Sequence, residues 1–212
     1  MNVEITYELK PLTPIFIGSG LGGPQINKQL LKGSDSSFKI PGSTIKGRIR
    51  YYCREYINGC NKTIFKPEDI ENIFAVNGDP ALGTKFCAFS DMISDGNLKK
   101  QDFQEIISLR NGNKISRKLG ISIPKALFNT EIISFDEGSK FKGKIIFQTN
   151  EENNKYIALI IIGLRMLNRL GGGKTIGFGK AIIPLNSIVI MKNGRQIENI
   201  ADFFSKYLEE NL

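Results

Sequence analysis

The chain has 212 residues, 41% of them hydrophobic and 24% charged, a balance that suits a soluble globular protein able to bury a core without disulfide staples. Its net charge of +8 points to a polyanionic partner, nucleic acid before membrane. It contains no His, which excludes His-based triads, His metal sites and His acid–base pairs. Three Cys (Cys53, Cys60 and Cys87) are too few for a four-ligand zinc site without His. They read as small apolar thiols, and their odd number suits a reducing cytoplasm. The longest apolar run, Ile157 to Leu164, is too short to span a bilayer. No targeting segment precedes the first alternating pattern.

That pattern is Val3, Ile5, Tyr7 and Leu9, the period of a half-buried strand. Ile15-Phe16-Ile17 is expected to extend it beyond a Pro break. Residues 18–39, rich in Gly, Ser and Lys, read as a long, mobile loop. Ile40-Pro41-Gly42-Ser43 then starts a helix, with Gly42 or Ser43 as its cap. The helix is predicted to run to about Ile57. Ile45, Ile49, Tyr52 and Tyr56 form one stripe on it, and Lys46, Arg50 and Arg54 another. Pro67-Glu68-Asp69-Ile70 opens a short helix with a solvated acidic start. Phe86 to Phe89 reads as a strand ending at Ser90-Asp91. Residues 108–130 are basic and irregular. Phe141 to Phe147 alternates as a strand.

The Ile-rich run at 153–170 has strand propensity, yet its length and its Leu164, Met166, Leu167 and Leu170 favour a buried helix. Residues 181–190 form a last strand, and 201–212 an acidic amphipathic helix. Two helices among about four strands suit an α+β fold, an antiparallel sheet with two helices of ferredoxin-like or RRM-like type. No repeat or linker divides the chain. It is predicted to be one domain, 1–212, with insertions near 18–39 and 108–130.

Several motifs carry chemistry elsewhere and fail here. Gly18-Ser19-Gly20-Leu21-Gly22-Gly23 matches the dinucleotide pattern, but Pro24 follows where a helix must open. Leu170 to Ala181 holds five Gly and two Lys, a composition suited to cradling phosphate with successive amides. Its Gly173-Lys174-Thr175 imitates a P-loop, but Asn168 stands where that loop needs Gly. Glu68, Asp69 and Glu71 make a poor catalytic set, Asp91 reads as a turn residue, and Asp35 stays open. The basic clusters are more informative. Lys28, Lys32, Lys39, Lys46, Arg48, Arg50 and Arg54 face only Asp35 and Glu55 over residues 24–56. Arg110, Lys114, Arg117, Lys118 and Lys125 face no acid at all. A cationic groove along a phosphate backbone is the simplest use of both. The helix start at Gly42-Ser43-Thr44 would add amides and a positive dipole end.

Ile40-Pro41-Gly42-Ser43-Thr44-Ile45-Lys46-Gly47-Arg48-Ile49-Arg50 resembles the I-P-G-S-S-x-K-G-x-x-R signature of the RAMP superfamily. Leu170 to Ala181 resembles that family's late glycine-rich loop. Phe89-Ser90-Asp91 resembles its F-S-D, and Glu131, Gly138, Ser139 and Phe141 resemble its E-x-x-x-x-x-x-G-S-x-F segment. The chain looks most like the backbone subunit of prokaryotic type III CRISPR effector complexes, which are cytoplasmic. The resemblance implies an RRM-like core assembled along CRISPR RNA, opposite a complementary target RNA. Copies of itself or other effector subunits would be its neighbours. It also implies a β-hairpin thumb, for which residues 108–130 are the candidate. In the family, Lys and Arg near Ser43, Lys46 and Arg50 face the guide backbone; together with the basic clusters and the glycine-rich loop this gives an expected RNA-binding set of Ser43, Lys46, Arg48, Arg50, Arg54, Arg117, Lys118, Gly172, Gly173, Lys174 and Lys180.

Active relatives carry an Asp in the loop before I-P-G-S that cleaves target RNA with a divalent metal. Asn27 stands at that position here, and an amide brings no charge to a hard cation or to proton transfer. The resemblance therefore implies a cleavage-deficient subunit needing no metal to bind. The alternative is a metal-dependent endoribonuclease using Asp35 and Mg²⁺ or another divalent cation. A further alternative is a stand-alone RRM-like RNA binder, although no aromatic stacking motif is evident. A CRISPR RNA-processing nuclease of the superfamily would often use His. Ile176 stands where many relatives place Arg.

Overall fold

A computed structural model describes residues 1–23, 26–32, 38–60, 64–74, 87–94, 107–136, 138–148 and 154–197. Along the chain run β1 (Asn2–Pro11), β2 (Lys39–Ile40), α1 (Gly42–Gly59), α2 (Pro67–Phe74), β3 (Cys87–Phe89), β4 (Met92–Ser94), β5 (Ile107–Ile115), β6 (Ser122–Ile133), β7 (Phe141–Gln148), α3 (Asn154–Met166), β8 (Ala181–Ile182), β9 (Val189–Lys192) and β10 (Arg195–Gln196). Asp35 and the expected helix at 201–212 lie outside the described residues.

The alternation in β1 places Val3, Ile5, Tyr7 and Leu9 on one buried face. This strand is central. It pairs antiparallel with β7 from Asn2↔Gln148 to Leu9↔Phe141 and with β9 on its other edge. The sheet order is β10-β9-β1-β7-β4-β2, with β3 beside β7 and β8 beside the end of β1. On α1 the predicted stripe is buried at Ile45, Ile49 and Tyr52, and Cys53 and Ile57 join it. Helix α3 is buried from Tyr156 to Leu164, which settles the Ile-rich run as a core helix. Gly163 lets α1 and α3 close up, because a Cβ there would lie 2.7 Å from Cys53 Sγ and Ile49 Cγ2. Both helices share one apolar cluster with the buried face of the sheet. The other face of β1 and β7 is polar, with Glu4–Lys144 and Glu8–Lys140 ion pairs at 2.9 and 3.2 Å.

Six expectations are corrected. Ile15 does not extend β1 but bridges Ile133 on β6, since Pro11 and Pro14 cannot donate to a continuing ladder. The described part of 18–39 is not a free loop. It doubles back, with Leu31 N–H on Ile17 O at 2.8 Å and Ser19 N–H on Gln29 O at 3.0 Å. Residues 108–130 are not irregular but belong to a long antiparallel hairpin of β5 and β6. The N-cap of α1 is Pro41, with Gly42 as its first helical residue. The last strand is split, because Pro184 and a 3-10 turn at Leu185–Ser187 separate β8 from β9. On α2, Asp69 is buried rather than solvated. It accepts from Lys66 N–H at 2.8 Å and pairs with Lys155 at 2.7 Å.

Candidate nucleic-acid interface

The segment 26–32 lies along the free edge of β6, held by side-chain and backbone bonds. Lys28 N–H donates to Asn129 O at 3.2 Å and Glu131 N–H to Lys28 O at 3.0 Å, a short parallel bridge. Asn27 and Asn129 bond reciprocally. Each backbone N–H donates to the other's Oδ1, at 2.8 and 2.9 Å. Glu131 is buried, and its carboxylate accepts from Leu30 N–H at 2.8 Å and from Lys32 Nζ at 3.4 Å. Between this segment, the hairpin base and the glycine-rich loop opens a groove of about 690 Å³. Phe16, Asn27, Lys28, Phe128, Ile176 and Phe178 are among its walls. Lys28 Nζ sits 5.6 Å from the Phe128 ring centroid, within cation–π range.

The glycine-rich loop wraps back on the protein. Gly171, Gly173, Gly177 and Gly179 all have positive φ, which side chains rarely adopt. A Cβ on Gly179 would lie 1.8 Å from Leu170 O, and one on Gly171 would lie 2.2 Å from Phe16 O. The expected cradle of outward amides is not what forms. Gly172 N–H donates to Phe16 O and Gly179 N–H to Pro14 O, each at 2.8 Å. Ile176, Gly177 and Phe178 donate within the loop, and Lys180 N–H donates to Thr13 Oγ1. The loop therefore offers side chains more than amides. Arg110 on β5 lies 5.0 Å from the Phe178 ring centroid and ties the hairpin base to it.

The predicted cations do not form one cluster. At about 100° per residue, Lys46 and Arg50 project roughly half a turn away from Arg48 on α1. Lys46 is on the flank of Cys87 in β3, whose thiol burial pushes up to about 12 while Lys46 pulls it back. Arg54 and Ser43 are exposed. Arg48 turns to the glycine-rich loop instead. Its Nε donates to Arg169 O at 3.1 Å and its Nη2 to Tyr52 Oη at 2.8 Å. Tyr52 in turn donates to Asn168 Oδ1 at 2.7 Å, and Arg169 Nη1 donates to Lys174 O. Partial burial and then the nearby Arg48 charge hold the Lys174 ammonium below its ordinary value. Lys180, Arg117 and Lys118 have exposed side chains, the last two in the hairpin turn.

The start of α1 is already occupied. Asp91 Oδ1 accepts from Gly42 N–H at 2.9 Å and Oδ2 from Lys39 Nζ at 2.7 Å. The Lys39 bond first, then the Gly42 N–H, holds this carboxyl below its ordinary value. Asp91 is thus more than a turn residue, and it takes one of the amides, that of Gly42, expected to meet phosphate. Among the described residues no group of three or more His, Cys, Asp or Glu stands together. Asn27 would offer a divalent cation only a neutral oxygen, and that Oδ1 accepts from Asn129 N–H. The outward residues of β1, β7 and β9, such as Thr6, Lys142, Ile146 and Met191, include no aromatic ring.

Sequence reasoning took Lys28 only as one of a basic cluster and missed Phe128 and Phe178 as walls of the groove. Only Phe128 left a local signal, its cross-strand partner Gly112, over which its ring packs. Comparison with known proteins adds the following. The RAMP superfamily model matches residues 8–182. A chain of the type III-B Cmr-beta complex bound to cognate target RNA, seen by cryo-EM, matches with a TM-score of 0.66 at 12% identity, covering 85% of this chain and 96% of that one. A chain of the Cmr-beta complex in its apo state matches with a TM-score of 0.62 at 12% identity, covering 92% and 98%. At such identity the likeness is one of fold. A search of the curated proteins finds no match.

Proposed function

The chain belongs to the RAMP superfamily, and on that premise we propose that it is a CRISPR RNA-binding subunit of a type III effector ribonucleoprotein, acting in antiviral defence in the prokaryotic cytoplasm. Its partners in this reading are CRISPR RNA, a complementary target RNA, and copies of itself or other effector subunits. The observation that carries the reading is the hairpin. Arg110, Lys114, Arg117, Lys118 and Lys125 are all exposed on it, and no carboxylate occurs between Ile107 and Thr130. Such a projection suits a phosphate backbone. Two further observations support the reading. The principal elements run β1-α1-β3/β4-β7-α3-β9 with β1 and β7 central, an order that supports the proposal of an RRM-like core of split β-α-β type. The ring-free outer sheet face speaks against a stand-alone RRM that stacks bases there.

We further propose that the subunit holds target RNA without cutting it. The position of the expected catalytic carboxylate carries Asn27, and its carbonyl oxygen is committed to Asn129. Sequencing the RNA that copurifies with the native protein tests the main reading. Repeat-derived guide RNA is expected, and its absence from correctly assembled protein refutes the assignment. Given a guide, complementary target RNA and Mg²⁺, the complex is expected to leave the target intact. Regularly spaced cuts that vanish in Asp35→Ala refute the non-cutting part.

A further inference from the structure

The cations of α1 differ in what they touch. Lys46 and Arg50 have no hydrogen bond or ion pair holding their side chains among the described residues, whereas Arg48 is bound on two nitrogens and rests against two neighbouring rings. Its guanidinium carbon lies 5.0 Å from the Tyr51 ring centroid and 4.8 Å from that of Tyr52. Its Nε and Nη2 are spent on Arg169 O and Tyr52 Oη. The Tyr52 hydroxyl continues the chain to Asn168. Asn168 and Arg169 are the two residues that lead into Leu170 and the glycine-rich loop, and Arg169 reaches over that loop to Lys174 O. Asn168 O also accepts from Ala181 N–H at 3.1 Å, so the chain spans both ends of the loop.

We propose that Arg48 is a positioning residue, not an RNA contact. With Tyr52 and Asn168 it braces the glycine-rich loop against α1 and fixes Lys174 for the RNA backbone. This rests on the RNA-binding reading above, but the brace itself does not need RNA to be observed. The arrangement has a physical logic. A loop with four positive-φ glycines has few side-chain restraints of its own, and Gly loses more conformational freedom on ordering than other residues. An unbraced loop would have to lose that freedom on binding, which weakens affinity. Bringing Arg48 close to Lys174 also places two like charges together, with no described carboxylate paired to either. A phosphate relieves that repulsion when it meets Lys174.

Tyr52→Phe removes one oxygen and keeps the ring on which Arg48 rests. Arg48→Lys keeps the charge and loses the planar fork. In the RNA-free full chain, each is expected to raise amide exchange of residues 170–180 about three- to tenfold, with β1 and β7 unchanged. Each is expected to weaken binding of single-stranded RNA by a similar factor, with the salt slope of binding unchanged. In a Lys174→Gln background that loss is expected to vanish, since the brace then has nothing to position. Full RNA affinity in Arg48→Lys, or a loss that persists undiminished in the Lys174→Gln background, makes Arg48 a direct phosphate contact and overturns the proposal. Unchanged exchange at 170–180 in both variants also overturns it. If the wild-type chain binds no RNA, the RNA-binding reading falls, and the exchange measurement alone decides whether the brace exists.

Discussion

Replacing both Arg117 and Lys118 by Ala is expected to flatten the salt dependence of RNA binding by a calculable amount. Arg110 is engaged with Phe178, which leaves Lys114, Arg117, Lys118 and Lys125 exposed on the hairpin. If each of these meets one phosphate of a single strand, log K falls with log salt at a slope of about −2.8. A fourfold rise in salt then weakens binding about 50-fold. With Arg117 and Lys118 gone the slope becomes about −1.4, and the same rise costs only about sevenfold. Fluorescence anisotropy of labelled single-stranded RNA between about 50 and 200 mM KCl spans that range. Both residues are in an exposed turn, so stability is expected to move by less than about 0.5 kcal/mol. A double variant with the wild-type slope and affinity would move the RNA path off the hairpin. A wild-type slope near zero would remove backbone binding altogether.

Tyr7 is buried with its hydroxyl unpartnered among the described residues, and burial pushes its ionisation well above the ordinary phenol range. Tyr7→Phe is expected to stabilise the fold by about 1 kcal/mol in urea unfolding, and a clear loss instead would reveal a partner for that oxygen. Gly179→Ala forces a Cβ toward Leu170 O at positive φ and is expected to cost about 2–5 kcal/mol, read as a fall in the unfolding midpoint; a near-neutral result would mean the loop relaxes freely. Asp91→Asn removes the anion at the start of α1 and is expected to cost about 1 kcal/mol at neutral pH, less in high salt. Because the folded carboxyl lies below its ordinary value, that difference holds at higher pH and shrinks as pH falls below about 4. A difference that grows on acidification would contradict the assignment.

Features governed by near neighbours were legible in the sequence. The period-two pattern of β1 and the stripe of α1 each declare a buried face. The Ile-rich run was harder, since its residues favour strand while its length favours helix, and packing against α1 decided it. Long-range partners left no local trace. Asp69 read as solvated because its partner Lys155 lies on another helix. The glycine-rich loop read as an amide cradle because the carbonyls that take its amides, Pro14 O and Phe16 O, belong to a distant segment. Arg48 read as one more cation of a basic helix, and only the direction of its side chain separates it from Lys46 and Arg50. The resemblance singled out Glu131 but not its work, which is to hold Leu30 and Lys32 against β6.

The place of β1 in the sheet has a consequence for biosynthesis. This strand is made well before its neighbours, since β7 and β9 begin only at Phe141 and Val189. At about 5–20 residues per second, β1 stays without either neighbour for on the order of ten seconds. Throughout that interval its row of Val3, Ile5, Tyr7 and Leu9 and both its unpaired edges are open to other nascent chains. A ribosome stalled before Phe141 would release a fragment with a sticky central strand and nothing to cover it. Expression of this protein is therefore expected to be limited by aggregation of incomplete chains rather than by weakness of the finished fold.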